Sequence, residues 1–250
     1  MEKILLYFAI KYKGNWDDVY KALDSKERVA VEELEKLNDE KYQFVSVINP
    51  LYPKVLKNAF KPPFILFFDG SISLLTNWKR IVGLFTSGDL SPNGERNFNI
   101  SVKGLTEERK IIAIKEDDLN TYKTNTLVKE NAQVVVILKN TLKNFQNNKN
   151  EIYRELQKID FLLITEFGNE IEKDNTQYQN RLISGLITVA LFVQLSSLSK
   201  TKELIDFVLN DGKELLAFPY DNFDKSNKTN KLIKQGAKLV ENIDDIINNL

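Results

Sequence analysis

Short, nearly continuous apolar runs recur along most of this chain, separated by stretches whose apolar residues return every three or four positions. FILFF at 64–68, RIVGLF at 80–85, IIAI at 111–114, VVVIL at 134–138, FLLI at 161–164, ALFVQL at 190–195 and LLAF at 215–218 have the length and composition of strands. They do not alternate apolar with polar, which points to strands covered on both faces, the habit of parallel sheets. Helical spacing fills the intervals at 149–158, 178–187, 200–210 and 229–235. The alternation predicts an α/β domain built on a mostly parallel sheet with helices on both sides.

The first 38 residues have a different texture. Leu5, Phe8 and Ala9 make one helical face, and Val19, Leu23, Val31, Leu34 and Leu37 continue the spacing. Gly14 or Asn15 ends the first helix, and Ser25 with Arg28 marks a fresh start, so a small helical domain of two or three helices precedes the sheet. QFVSVI at 43–48 reads as a strand, and Pro50, Pro53, Pro62 and Pro63 as an extended connection. TSGDLSPNGERN at 86–97 reads as turns, and Asn144–Asn150 as a polar loop.

Charge narrows the partners little. Lysine and arginine total 35 and so do aspartate and glutamate, so a nucleic-acid contact needs a local basic patch. Missing residue types narrow the chemistry more. There is no cysteine and no histidine, which removes disulfides, thiolate sites, Ser-His-Asp triads and imidazole acid–base catalysis. Neither a phosphate-binding GxxxxGK[ST] loop nor a GxGxxG after a strand is present. The amino-terminal apolar run lacks a small-residue cleavage site, and no stretch approaches the roughly 20 apolar residues of a membrane span. A soluble, cytoplasmic protein is expected.

Four segments in order, YPKVLKNAFKPPFILFFDGSISLL at 52–75, QNRLISGL at 179–186, AFPY at 217–220 and SNKTNKLIKQGAKLV at 226–240, carry a resemblance. Together they resemble the DNA-processing protein A (DprA/Smf) family, with its YPxxLxxxxxPPxxLxxxG, RNRIIAGLS, AVPG and SxGxNxLIxxGA motifs. The likeness spans most of the chain and is poor over 86–133, where 106–133 reads as short enough to have lost a crossover helix. It implies a SAM-like helical domain over 1–45 and a Rossmann-like domain over 46–250. It also implies binding of single-stranded DNA without enzymatic turnover or cofactor, a homodimer formed through the Rossmann-like domain, and loading of the RecA recombinase during uptake and recombination of DNA.

The same resemblance names candidate site residues, and each has a plainer reading. Gly83, after the first core strand, stands near the family's phosphate-binding Gly-Ser-Arg, or simply makes a tight turn; Lys79, Arg80 and Arg96 are substitutes for the missing arginine. Asn180 caps a helix and Arg181 forks to phosphate, or Arg181 pairs with Glu166 or Glu170. Ser199, Lys200 and Lys202 replace the Ser-Gly-Ser-Leu helix start, binding an anion or only solvated. Asn230 is a polar contact, and Lys231 belongs to a locally basic stretch with Lys225, Lys228 and Lys234. Tyr220 and Phe223 stack bases or pack on the body of the protein. Gln194 stands where the family has glutamate and Tyr220 where it has glycine. Gly83, Asn180–Arg181 and Ser199–Lys202 are expected to meet at one sheet edge. Two other classes compete with strand binding: an interaction protein that keeps the fold and dimer alone, and a nucleotide phosphoribohydrolase with Glu203 as its carboxylate.

Overall fold

The computed structural model describes residues 1–37, 43–171, 174–221 and 227–249. Phe223, Lys225 and the Ser226 of the last motif lie outside the described residues. The chain forms one nine-stranded sheet of order β1-β2-β6-β5-β4-β3-β7-β8-β9. The strands are β1 (Phe44–Ser46), β2 (Ile65–Gly70), β3 (Ile81–Thr86), β4 (Ile111–Lys115), β5 (Gln133–Ile137), β6 (Phe161–Thr165), β7 (Val189–Gln194), β8 (Glu214–Ala217) and β9 (Lys238–Leu239). From β6 across to β9 neighbouring strands are parallel, and β2 joins β6, and β1 joins β2, antiparallel. The mostly parallel α/β sheet expected from the apolar runs, and the Rossmann-like architecture that the resemblance implies, are therefore present. β9 is an addition: its two residues, Lys238 and Leu239, are both exposed and give no apolar run to read.

Strand residues divide strictly by pleat. Ile81 and Phe85 of β3 enter one core with Ile183 and Leu186, while Val82 and Leu84 enter the other with Phe98, Val102 and Leu105. The first face is covered by α4 (Lys54–Lys57), α9 (Thr176–Leu186), α10 (Leu198–Asn210) and α11 (Thr229–Lys234). The second is covered by α5 (Pro92–Glu107), α6 (Thr121–Lys129), α7 (Leu142–Asn148), α8 (Asn150–Leu156) and α12 (Ile243–Ile247).

Two expectations about 86–133 are corrected. The turn-rich reading of 86–97 is cut short by α5, which starts at Pro92 behind the cap Ser91, whose Oγ accepts from the Gly94 N–H at 3.2 Å. Proline at a first helical position is already shaped for the helix, so Ser-Pro is a start signal rather than a loop signal. The crossover helix expected to be missing from 106–133 exists as α6. Asn120 caps it through the Lys123 N–H at 2.9 Å and Leu127 anchors it, but a single buried leucine among threonines and lysines leaves almost no periodic signal.

At the amino end, α1 (Glu2–Lys11) and α2 (Trp16–Asp24) pack beside β1 and β2, and α3 (Val31–Lys36) lies against α1. Leu5, Leu6 and Ala9 of α1 lie on Ile65 and Phe67, and Glu2 accepts from Ser46 Oγ at 2.6 Å. Asn15 caps α2, and the next helix begins at Val31 rather than at Ser25–Arg28. Among the described residues no helix is long and apolar enough to cross a membrane.

Candidate nucleic-acid interface at the sheet switch point

Strand order reverses between β3 and β7: from β3 the chain builds outward through β4 and β5, and later from β7 through β8 to β9. In open parallel sheets the ligand crevice lies outside the carboxyl ends of the two strands at such a point. Here the crevice is bounded by the turn from β3 into α5 and the turn from β7 into α10.

The turn after β3 is firmly held. Gly88 has φ +71, a conformation that favours glycine. Lys123, almost wholly buried, sends its Nζ to Thr86 Oγ1 at 2.7 Å and to the Gly88 carbonyl at 3.2 Å. Asp118 lies behind, taking the Thr86 N–H; burial pushes its carboxyl up to about 6 against the pull of Lys115 and Lys123. Burial in turn lowers the Lys123 ammonium, with Asp118 and Asp89 opposing. A lysine on a threonine-rich helix gave no sign of this role in the sequence.

The two turns are tied to each other. Ser87 Oγ lies 3.0 Å from Ser196 Oγ and accepts the Ser196 N–H at 2.5 Å. Gln194 braces the crevice from the end of β7. Its Oε1 accepts from the Ser91 N–H at 3.0 Å, from Ser91 Oγ at 3.1 Å and from the Tyr220 hydroxyl at 3.1 Å, while its Nε2 donates to the Asp89 carbonyl at 2.9 Å. A glutamate could accept these donors but could not make the last bond. Tyr220 is buried, its hydroxyl pointing into this network, so it fills space that glycine would leave open. Gly94 accommodates both: a Cβ there would stand 2.3 Å from Gln194 Oε1 and 2.9 Å from Tyr220 OH.

Two helices open on the crevice, α5 behind Ser91 and α10 behind Ser197, whose Oγ accepts the Lys200 N–H at 3.4 Å. Ser199, Lys200 and Lys202 are exposed on the opening of α10, and Arg96 is exposed on α5. Lys231 is exposed on α11. Asn230 is used internally, clamping the backbone of Tyr220: its Nδ2 donates to the Tyr220 carbonyl at 2.5 Å and its Oδ1 accepts the Tyr220 N–H at 2.8 Å. The cap Ser197 was legible as a serine just past an apolar run but was passed over for the charged residues beside it.

The remaining candidates fall elsewhere: Gly83 does not reach the crevice, and of the Asn180–Arg181 pair only Asn180 meets α10, through Glu203. Gly83 is neither a turn nor a strand end. It sits inside β3, in register with Ala113 and Ala190, under α9's end, where an added Cβ would lie 2.8 Å from Ile187 Cδ1. β3 runs on to Thr86, so the tripeptide at its end is Thr86-Ser87-Gly88, which keeps a serine and carries no arginine. Arg80 does not substitute, because it holds the Arg109 carbonyl and Gln133 Oε1 at the opposite, amino edge of the sheet.

α9 begins at Thr176, with Asn175 at its cap, so Asn180 is inside the helix and its Nδ2 donates to Glu203 Oε2 at 2.9 Å. Arg181 lies in the second turn, buried, with Nη2 at 2.5 Å from Glu166 Oε2 and its guanidinium over the Tyr178 ring at 5.5 Å. The anionic partner is therefore the local carboxylate. Burial pushes Glu166 up to about 7 although Arg181 pulls the other way.

The family model for DNA recombination-mediator protein A matches residues 43–250. The chain belongs to that family. Its DprA relatives include DNA processing protein DprA of Streptococcus pneumoniae (strain ATCC BAA-255 / R6), 23% identical over 211 residues that cover 83% of this chain and 74% of the relative. DprA of Bacillus subtilis (strain 168) is 23% identical over 210 residues, 82% of this chain and 70% of the relative. The X-ray structure of S. pneumoniae DprA superimposes with a TM-score of 0.75 at 18% identity, covering 99% of this chain and 93% of that one. DprA from Helicobacter pylori, which has a single-stranded DNA binding mode of its own, superimposes at 0.69 with 19% identity, covering 83% and 95%. At these identities the structural likeness shows the DprA fold.

Proposed function

We propose that this chain binds single-stranded DNA in the crevice between β3 and β7, without turnover, as a recombination mediator. The observation that carries the reading is the pair of serine-capped helices, α5 and α10, that open on one crevice at the switch point. Helix starts favour anions through free N–H groups and aligned peptide dipoles, and Ser199, Lys200, Lys202 and Arg96 add donors and charge around a phosphate. The hold on the strand is weaker than in relatives with the full motif. Thr86-Ser87-Gly88 offers no arginine fork, and Tyr220 and Gln194 occupy part of the opening.

Loading of RecA, a homodimer built through the Rossmann-like domain, a cytoplasmic location and a division into 1–45 and 46–250 complete the proposal. Its support is the family membership and the order of the motifs. Glu203, committed to Asn180, does not favour a hydrolase reading.

The test is fluorescence anisotropy with an oligo-dT across a salt series. Binding should weaken with a log–log slope of roughly −0.7 per phosphate contact, and a Lys200→Ala/Lys202→Ala variant should bind more weakly with a shallower slope. The filled crevice favours one second reading, an interaction protein that keeps the fold and its assembly. Absence of binding even at low salt would select that reading.

A further inference from the structure

A cavity lies far from the switch point, where β1 stops short along β2 and leaves a groove of about 670 Å³ against α7 and α8. That volume is in the usual range for a small-molecule site. Its walls include Phe68, Phe167 and Tyr153, and Asp69 lies among them. Aspartate is depleted in strands, yet Asp69 sits within β2 opposite Leu163 of β6. Its Oδ2 is pinned by the Tyr153 hydroxyl at 2.8 Å and Gln146 Nε2 at 2.9 Å. Both donors reach the same oxygen, which leaves Oδ1 without a partner among the described residues. At the rim Glu170 and Lys143 are both exposed, so carboxylates outnumber ammonium groups by one in the groove.

We propose that this groove binds an organic cation, a guanidinium or alkylammonium group carried on an apolar frame. A fixed carboxylate oxygen would take the N–H donors, and aromatic faces stabilise a cation beside them. Other ligand classes fit less well. A hard metal ion wants six or more oxygens, and among the described residues no three acidic side chains gather. A phosphate would meet Asp69 with like charge. A neutral apolar ligand would leave the carboxylate desolvated and unpaired, which is costly. The same chemistry could come from a free polyamine-like molecule or from an arginine side chain of a protein.

Isothermal titration with agmatine, spermidine and a capped Gly-Arg-Gly peptide, with Gly-Gln-Gly as the neutral control, tests the proposal. At least one cation should bind, and the glutamine peptide should not. Asp69→Asn retains an acceptor for Tyr153 and Gln146 and should weaken binding by about ten- to a hundredfold. Lys143→Glu, a rim change outside the core, should tighten it by roughly two- to fivefold. Binding of agmatine or spermidine identifies a free molecule as the source, and binding of the arginine peptide alone identifies a protein side chain. No binding by any of the three cations, equal binding of the glutamine peptide, or affinities unmoved by both substitutions would overturn the proposal. Oligo-dT affinity should be unchanged in both variants, so this outcome is independent of the crevice at β3 and β7.

Discussion

Replacing Arg181 with alanine should unfold the protein rather than release DNA, and the damage should depend on pH. The pair with Glu166 is 7% and 4% exposed, so removing the guanidinium strands a carboxylate in the interior. Breaking a buried pair in this way costs about 3–5 kcal/mol. Glu166 is raised from 4.5 to about 7 in the folded protein, a gap that corresponds to roughly 3 kcal/mol at ~1.4 kcal/mol per pH unit. Because the folded value is the higher one, this contribution is full below pH 4.5 and is lost as pH rises through about 7. Asp118, raised from 3.8 to about 6, acts in the same direction over a lower window. At pH 8 wild-type Glu166 is charged and held by Arg181, and without the guanidinium it must take up a proton or stay charged in the interior, so Arg181→Ala should show its largest loss there. At pH 5 Glu166 is protonated and the loss should shrink to about 1–2 kcal/mol, the hydrogen bond and stem contacts alone. Urea denaturation of wild type, Arg181→Ala, Glu166→Gln and the double variant at both pH values measures this, and the double variant should recover most of the loss at pH 8. An equal loss at both pH values would refute the reasoning. So would weakened oligonucleotide binding with stability intact.

Other substitutions probe the crevice. Gly94→Ala places a Cβ 2.3 Å from Gln194 Oε1 and should lower stability by about 1–3 kcal/mol in thermal denaturation. Lys123→Met removes the support of Thr86 and Gly88; hydrogen exchange should speed up in the turn after β3, with a stability loss of roughly 1–3 kcal/mol. Tyr220→Phe should cost about 0.5–1.5 kcal/mol, the worth of one hydroxyl bond to Gln194, in the same denaturation assay.

The sheet was legible because its strands are buried on both faces, and continuous apolar runs leave a signal that periodicity can find. α6 was not, because one buried leucine on a polar helix makes no stripe. The site was legible only in outline. Gly83 drew attention as a glycine after a valine, but the strand runs on to Thr86, and three residues carry the chain from the sheet interior to its carboxyl edge. A similar offset displaced Arg181: a helix start placed at Asn180 instead of Asn175 turns an interior arginine into an apparent phosphate ligand. Such boundaries depend on caps and turns that several sequence positions could have supplied. Lys123 escaped notice since its place is decided by Thr86 at the end of β3 and by Gly88 just after it, both remote in sequence.

The antiparallel seam between β2 and β6 also constrains how the chain is made. Phe67 pairs with Thr165 and Gly70 with Leu162, partners that leave the ribosome only after β3, β4 and β5. The helices that rest on β2 and its partner β1 emerge first, yet this two-stranded piece has no link to the rest of the sheet until β6 arrives. Closing so long a loop is slow compared with the local β–α–β steps between, which places β3 to β5 early in folding and the amino-terminal segment late. Until then Leu66, whose core partners include Leu162, Ile164 and Leu182, stays uncovered. A nascent chain stalled before residue 161 should expose Leu66 to chaperones, and a protease should cut it ahead of β3 while sparing the full-length protein.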